Sequence, residues 1–196
     1  MDYQRMRDHA DQLLAASRSE PWKLEISGDQ IVMMMSRVGR HLGLVRSLRV
    51  QLEAQLPGTN PGYLADGDAD LEDVSLGVRR VPDLMVFHED LLERDEPARP
   101  GDVLMVCEVV SRANPENDYE GKLRDYPAMG IPRYLIVDPR TGTVHAHTEP
   151  YAAPEGPSYA THREYPFGKT VEIGPWRIDT GRFTRYGDSG SGHDAR

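Results

Sequence analysis

The chain has 196 residues, of which 38% are hydrophobic and 28% charged, and its formal net charge is −9 at pH 7. This balance is typical of a globular protein rather than a disordered or fibrous one, and the length suits one domain. No apolar run approaches the roughly 18 residues that span a bilayer, and no apolar stretch follows residues 1–5, so we expect neither a membrane span nor a secretory signal. The single cysteine, Cys107, excludes an internal disulfide framework and a cysteine-based zinc site. We therefore predict a cytoplasmic protein.

The first third of the chain predicts a helix, a hairpin and a longer helix. Apolar residues at helical spacing predict a helix over residues 3–17. Two strand-like runs, 23–26 and 30–34, flank a Ser-Gly-Asp turn and predict a β-hairpin. A second apolar stripe predicts a helix that Ser36 caps and Pro57-Gly58 ends. The members of that stripe are Val38, Leu42, Val45, Leu48, Leu52 and Leu56.

An acidic segment follows. Between Pro57 and Val78 there are five Asp or Glu residues and no Lys or Arg, and we interpret this segment as a solvated loop. It lacks the Gly and Glu of a calcium-binding EF-hand loop. The acidic net charge argues against binding of nucleic acid by bulk attraction. Because five of the nine excess negative charges lie in this one segment, that argument does not exclude DNA as a partner.

The rest of the chain alternates strands with one helix. Asn114-Pro115 opens a predicted helix that runs to about Met129. The nearly continuous apolar run 103–110 predicts a central strand that is buried on both faces. Further strands are predicted over 76–80, 84–87, 133–137, 143–147, 158–165 and 170–173. This order predicts a single α/β domain with a mixed sheet over residues 1–186, followed by a flexible C-terminal tail over 187–196.

Two carboxylates on neighbouring predicted strands are candidate functional residues. Glu108 lies inside the apolar run, where a buried carboxylate requires a cation, a metal or a proton to neutralise it. The alternative is that Glu108 lies near the strand end and reaches water or an arginine. Asp83 follows Pro82 at a strand boundary, where an ordinary turn residue is also common. Two such carboxylates converging from adjacent strands are ligands that Mg²⁺ accepts.

Lys122 is the third candidate. It falls at the edge of a helix face formed by Tyr119, Leu123 and Tyr126, on the helix that directly follows the Glu108 strand. From there a lysine can reach a phosphate oxygen. The alternative is an ordinary surface lysine with a buried stem, which pairs along the helix with Asp118.

These residues belong to an ordered set of motifs that resembles a known family. The set comprises Pro-Asp at 82–83, Glu-Val-Val-Ser at 108–111, Asp118 with Lys122, and Val-Asp-Pro at 137–139. Together they resemble the Uma family of putative restriction endonucleases, in the PD-(D/E)XK nuclease superfamily, over about residues 24–183. The resemblance implies a restriction-endonuclease-like core, with a mixed central β-sheet flanked by helices. It also implies metal-dependent endonuclease activity that hydrolyses phosphodiester bonds of DNA.

The resemblance also assigns roles to individual residues. Asp83 and Glu108 would bind Mg²⁺ (or Mn²⁺), and Val109 would offer its backbone carbonyl as a further ligand. The superfamily lysine normally stands two residues after the second acid, where this chain has Val110. The family pattern instead places the lysine at Lys122.

Two earlier residues match the family as well. Glu25 would be an additional catalytic acid at the metal, and His41 matches a family histidine of less defined role. In the implied mechanism the metal activates a water, and Lys122 orients or helps to deprotonate that water and shields the developing charge. Four arginines on the long predicted helix are candidate phosphate contacts, although solubility explains them equally well; they are Arg37, Arg40, Arg46 and Arg49.

Two alternatives stay open. The acidic surface and Val110 favour a catalytically inactive nuclease-fold module that binds nucleic acid or a protein partner. A small phosphodiester rather than DNA is the other substrate class. DNA is the expected partner, no membrane contact is expected, and a homodimer would supply the two active sites that cutting both strands requires. His145 and His147 are predicted to be exposed hairpin residues rather than metal ligands.

Overall fold

The structure, a computed structural model, describes residues 2–17, 22–35, 39–67, 69–112 and 114–188. The helices in these residues are α1 (Tyr3–Ala16), α2 (Arg40–Glu53), α3 (Leu56–Thr59) and α4 (Lys122–Ala128). The strands are β1 (Trp22–Ser27), β2 (Gln30–Met35), β3 (Tyr63–Asp66), β4 (Leu71–Asp73), β5 (Val78–Arg80), β6 (Leu84–His88), β7 (Val103–Val109), β8 (Arg133–Asp138), β9 (Thr143–Ala153), β10 (Gly156–Pro166), β11 (Thr170–Ile173) and β12 (Trp176–Asp179). Short 3₁₀ helices cover Glu89–Glu93 and Pro100–Asp102, and a π-helical turn at Asn117–Gly121 leads into α4.

The main sheet has six strands in the order β10-β9-β8-β7-β6-β3. The pair β7 and β8 is parallel, and the other neighbours are antiparallel. A second sheet has the order β2-β1-β5-β4, and β11 pairs with β12. The predicted α/β fold, a mixed central sheet flanked by helices, is confirmed. The predicted hairpin of β1 and β2 is confirmed as well.

β7 is the central strand that the apolar run predicts, and its two faces pack into different cores. Cys107 and Val109 lie in a cluster that includes Leu48 and Leu52 of α2. Val106, on the opposite face, lies in a cluster with residues of α4. Each large apolar side chain that is fully buried contributes about 1.5–3 kcal/mol, so packing fixes the strand from both sides. Glu108 therefore lies on a strand that is held by packing on both faces.

The smaller sheet is covered by α1. Met6 and Ala10 of α1 pack against Leu24 and Ile26 of β1 in a third apolar cluster. Because β1 also pairs with β5, α1 and β1 attach to the strand that leads directly towards Asp83. Among the described helices, none is long and apolar enough to cross a membrane.

The prediction for the second helix was partly wrong. Leu48 and Leu52 are buried as predicted, but Leu42 is 54% exposed and the buried face begins at His41. The apolar residues of this helix are compatible with more than one buried face. Packing against the core selects the face that includes His41, Leu44, Leu48 and Leu52. Pro57-Gly58 does not stop the helical chain, since the proline occupies the first turn of α3, where its missing N–H is not needed. Ser36, Arg37 and Val38 lie outside the described residues.

The acidic segment is not the solvated loop that was predicted. It contains β3 and β4, and its acids bind cations from other elements. Asp66 accepts a hydrogen bond from Arg49 at 2.8 Å, and Asp70 pairs with Arg79. Glu72 is only 7% exposed. The pattern was misleading because the acids alternate with apolar residues that face the core, while their cationic partners lie outside the segment, before and after it. Asp68 lies outside the described residues.

The C-terminal third also differs in extent from the prediction. β9 and β10 are both longer than predicted, and β12 was not predicted. Gly187 and Asp188, the first residues of the predicted tail, form a turn that packs on the domain. Residues 189–196 lie outside the described residues, so the tail and the domain boundary stay predictions.

Candidate functional site

The start of β6 and the end of β7 bring Asp83 and Glu108 side by side. The two strands are antiparallel with Leu84 opposite Cys107, which places the residues before and after them in contact. The backbone N–H of Asp83 donates to Glu108 Oε2 at 3.4 Å, and the N–H of Val109 donates to Asp83 Oδ2 at 2.9 Å. Both carboxylates are buried, Glu108 completely.

Lys122 reaches this pair from the helix that follows β7. Its Nζ lies 2.8 Å from Glu108 Oε2, 3.0 Å from Asp118 Oδ1 and 3.7 Å from Glu25 Oε1. The lysine is 1% exposed, so its ammonium group does not extend into water as an ordinary surface lysine would. The π-helical turn before α4 places Asp118 and Lys122 on the same inward face. Such turns are frequent at functional sites.

Glu25 enters the cluster from β1 and is held from several sides. Its Oε2 accepts from Arg80 at 2.7 Å and from the Asn117 side chain at 3.1 Å. Its Oε1 accepts from the N–H of Val81 at 3.3 Å, on the side that faces Lys122. Glu25 is therefore fixed between an arginine and the candidate catalytic lysine.

Arg80 connects Glu25 to a further acid. Its Nε and NH2 groups donate to Asp125 Oδ2 at 3.1 and 2.6 Å, and the side chain is 1% exposed. The contact is tight at Gly121, where an added Cβ would lie 3.1 Å from Arg80 and 3.0 Å from Asn117. Any larger residue there would push against the atoms that position Glu25.

Asp83 also has partners on the solvent side. His41 of α2 places its Nε2 3.1 Å from Asp83 Oδ2, and Lys23 of β1 places its Nζ 3.9 Å from Asp83 Oδ1. His41, which the sequence left without a defined role, therefore contacts a predicted metal-binding acid directly.

Four carboxyl groups surround Lys122. Burial is the largest cause that raises the pKa of Glu108; Asp83, Asp118 and Glu25 add to the rise and Lys122 opposes it, with a net value of about 8. Burial alone would lower the pKa of Lys122, but the carboxylates of Glu108, Glu25 and Asp118 raise it. Lys122 is therefore an ammonium ion at neutral pH. Glu25 also pairs with Arg80, and Asp83 lies 3.9 Å from Lys23, so Lys122 is not the single cation of the cluster.

The pKa of Glu25 is shifted the other way. Burial acts to raise this pKa, but Lys122 and Arg80 together lower it. Glu25 is therefore a carboxylate throughout the neutral range, and its negative charge is balanced by two cations. Asp118, by contrast, has one buried carboxylate oxygen, Oδ2, with no hydrogen-bond partner among the described residues.

The oxygen atoms at this site suit a hydrated Mg²⁺ ion rather than a closed metal cage. Within the described ranges, no three His, Cys, Asp or Glu side chains are grouped so that they could hold a metal. Asp83 and Glu108 nevertheless offer two adjacent carboxylates, and Val109 a neighbouring carbonyl. Mg²⁺ usually binds one or two carboxylates and fills its remaining positions with water and substrate phosphate. Asp83, Glu108 and Val109 fit this mode of Mg²⁺ binding.

The remaining candidates are distributed differently. Val110, at the position of the usual superfamily lysine, packs in the apolar cluster on the α4 side. His145 and His147 are not the exposed residues that were predicted. His147 is 7% exposed and stacks on His162 at 4.4 Å. The long β10 strand, which the sequence indicated only weakly, covers them.

Three polar residues of the cluster were missed by the sequence interpretation: Arg80, Asn117 and Asp125. One signal was available, because Arg80 stands in a short strand-like run three residues before Asp83. A charged residue at an inward strand position requires a buried partner. Its partners are 45 and 55 residues away, and no local pattern could identify them.

Comparisons with known proteins agree with this architecture. The sequence model of a family described as "Uma2: Putative restriction endonuclease" matches residues 8–174. Among solved structures, the chain is similar to a putative nuclease belonging to DUF820 from Anabaena variabilis. The two are 14% identical, with a TM-score of 0.61 over 84% of this chain and 88% of that chain. A search of curated proteins found no match.

Proposed function

The chain belongs to the Uma2 family of putative restriction endonucleases, and from that premise we propose that it is a metal-dependent endonuclease that hydrolyses phosphodiester bonds of DNA. The observation that carries the proposal is the convergence of Asp83, Glu108 and Lys122. They come from three separate elements and meet with a distance of 2.8 Å between the lysine and Glu108. Such a buried acid pair with an adjacent lysine is costly to maintain, and functional sites are where such groups concentrate.

Asp83, Glu108 and the carbonyl of Val109 would hold Mg²⁺ or Mn²⁺. When bound, the ion would activate a water and stabilise negative charge on the scissile phosphate. Support comes from Glu108, whose charged form is disfavoured by burial and by the neighbouring acids, because a divalent cation would stabilise that carboxylate.

The chain's own residues have separable tasks in this proposal. Lys122, as an ammonium ion, would donate hydrogen bonds to the attacking water or to a phosphate oxygen, and so counter charge that develops there. Glu25 would hold the lysine in place from the side opposite Glu108. The ring of His41 and the N–H of Val109 would fix the orientation of Asp83.

A second candidate function is a catalytically inactive module with a nuclease fold. It is favoured by one observation: the predicted catalytic side chains are at most 8% exposed and already bind one another. A module of this kind would bind nucleic acid or a protein without needing a metal. Metal binding at Asp83 and Glu108 therefore separates the two functions.

The test of the proposed function is cleavage of supercoiled plasmid DNA with Mg²⁺ or Mn²⁺. We expect Glu108→Gln, Asp83→Asn and Lys122→Met each to lower the cleavage rate by about a hundredfold or more. The matched control is Glu72→Gln, which neutralises a buried acid on β4 that lies outside the cluster and binds Tyr3 and Arg7. It should cleave at the wild-type rate.

Two results would overturn this function. One is cleavage by Asp83→Asn/Glu108→Gln at the wild-type rate, which would place the activity elsewhere or in a contaminant. The other is hydrolysis of a small model phosphodiester by the wild type with no cleavage of plasmid, which would identify a different substrate class. Circular dichroism of each variant shows whether it has folded.

A further inference from the structure

The described part of the chain ends in a tight turn formed by residues 185–188, which we name the C-terminal turn. The N–H of Asp188 donates to the carbonyl of Arg185 at 3.4 Å, and the Asp188 carboxylate accepts from the N–H of Arg185 at 3.1 Å. Gly187 has a φ of 98°, which a glycine adopts readily and other residues do not. The sequence therefore specifies this turn rather than an irregular end.

The C-terminal turn packs beside the candidate active site. The N–H of Tyr186 donates to the carbonyl of Pro139 at 2.8 Å, and its hydroxyl donates to the carbonyl of Val110 at 3.0 Å. Val110 directly follows Val109, whose N–H binds Asp83. The turn thus packs against the end of β7, the strand that carries Glu108.

Two arginines hold the C-terminal turn in place. Arg40, at the start of α2, donates from its guanidinium to the carbonyl oxygens of Arg185 and Asp188. The guanidinium of Arg112 lies over the Tyr186 ring, 4.9 Å from its centre. Both arginines are exposed. Arg40 directly precedes His41, which contacts Asp83, and Arg112 stands two residues after Val110, whose carbonyl accepts from Tyr186.

We propose that Arg40 and Arg112 form a binding site for the phosphodiester backbone of duplex DNA, and that the C-terminal turn occupies this site until DNA displaces it. This inference rests on the proposed function for the identity of the ligand. The guanidinium of Arg40 donates to two carbonyl oxygens, one from each terminal nitrogen, and the same group can donate to two oxygens of a phosphate. Both contacts lie at the surface, where water competes with each hydrogen bond, so DNA can replace the turn.

Binding of a labelled duplex oligonucleotide, measured by fluorescence anisotropy in EDTA, tests this inference with the full chain. Tyr186→Ala and Gly187→Val both loosen the turn and alter no charge. We expect each to bind DNA about tenfold more tightly than the wild type, because a larger fraction of the molecules has a free site. The matched control is Gly168→Val, which places the same side chain at a φ of 91° in a different turn. It should bind as the wild type does.

The arginines are tested in the Tyr186→Ala background. Arg40→Ala and Arg112→Ala should each remove the gain in affinity and lower the slope of log Kd against log salt by about one. Arg5→Ala, which removes an exposed arginine of α1, controls for the loss of charge and should leave the gain intact.

Three results would overturn the inference: no gain in Tyr186→Ala and Gly187→Val, a gain that persists without both arginines, or no DNA binding by any form. Because EDTA prevents metal-dependent cleavage, these results are independent of the cleavage assay. Plasmid cleavage without the binding effects would reject only this inference. The binding effects without cleavage would reject only the proposed catalytic function.

Discussion

Two consecutive arginines of β5, Arg79 and Arg80, stand in polar clusters of opposite kinds. Successive side chains of a strand point to opposite faces, and these two meet different partners. Arg79 pairs with Asp11 of α1 and with Asp70, whose side chains are 53% and 29% exposed. Arg80 pairs with Glu25 and Asp125, which are 0% and 5% exposed.

The difference separates a structural cluster from a candidate functional one. Around Arg79 each acid reaches water, so the acids would remain hydrated even without the arginine. Around Arg80 and Lys122 the acids are buried, and the two cations that they share are buried with them. Such an arrangement costs stability, and proteins retain costly arrangements at sites of function. Two neighbouring residues of one short strand thus have different consequences for the molecule.

The largest expected effect is the loss of stability when each arginine is replaced by methionine. Arg80→Met removes the nearest cation from Glu25 and Asp125, which keep only Lys122 at 3.7 Å and the exposed Arg124, so we expect the free energy of unfolding to fall by about 3–5 kcal/mol. Arg79→Met should cost about 1 kcal/mol, since its acids are partly solvated. Urea unfolding of both variants measures the difference. Arg80→Lys keeps the charge and should fall between Arg80→Met and the wild type, and equal losses in the two methionine variants would show that the two arginines contribute alike.

A third polar cluster, formed by His145 and His147 of β9 and His162 of β10, differs from both because its buried member, His147, is uncharged. Burial, with smaller contributions from His162 and His145, lowers the pKa of His147 to about 4. This value lies below the roughly 6.5 of an unfolded histidine, so folding favours the neutral ring. The stabilisation that comes from this neutral ring is therefore fully present above about pH 6.5 and is lost as the pH falls towards 4.

We expect this loss to have a slope of about 1 kcal/mol per pH unit in urea unfolding. His147→Phe, which keeps an aromatic ring between Tyr134 and Tyr159, should flatten the slope. His9→Phe, at an exposed position of α1, should leave the slope unchanged. An unaltered slope in His147→Phe would show that another group is responsible.

A smaller effect than that of Arg80→Met is expected on the structural side of β5. The hydroxyl of Tyr3 donates to Glu72, which also pairs with Arg7. Tyr3→Phe removes one hydrogen bond to a charged acceptor and should lower the free energy of unfolding by about 1–2 kcal/mol. Plasmid cleavage should be unchanged, because Glu72 lies outside the Lys122 cluster. A large loss of cleavage in this variant would mean that the two faces of β5 are not independent.

Much of the fold could be predicted because its signals are local. The apolar run that became β7, the hairpin of β1 and β2 and the stripe of the first helix are each visible within about a dozen residues. The prediction for the acidic segment was wrong because its acids pair with residues outside the segment, and these pairings cannot be read from the segment itself. Asp70 and Glu72 look solvated until Arg79 and Tyr3 are placed beside them.

The candidate site could be predicted only in part, for a similar reason. Glu108 was conspicuous as a charge in an apolar run, and Asp83 and Lys122 were candidates from their places at a strand boundary and on a helix face. The family resemblance supplied Glu25 and the roles of all four residues. The roles of these residues stay predictions. Arg80 carried no comparable signal, since the acids that require it lie far away along the sequence. A buried ionic network is a property of the packed structure, and no stretch of sequence contains it.

A metal site at Asp83 and Glu108 is tested most directly by calorimetric titration of Mn²⁺ into the wild type, Glu108→Gln and the control Glu72→Gln. We expect the wild type and Glu72→Gln to bind Mn²⁺ with the same affinity, and Glu108→Gln to lose this binding. Glu108→Gln that binds Mn²⁺ as the wild type does, or a wild type that binds none, would contradict a metal site at Asp83 and Glu108.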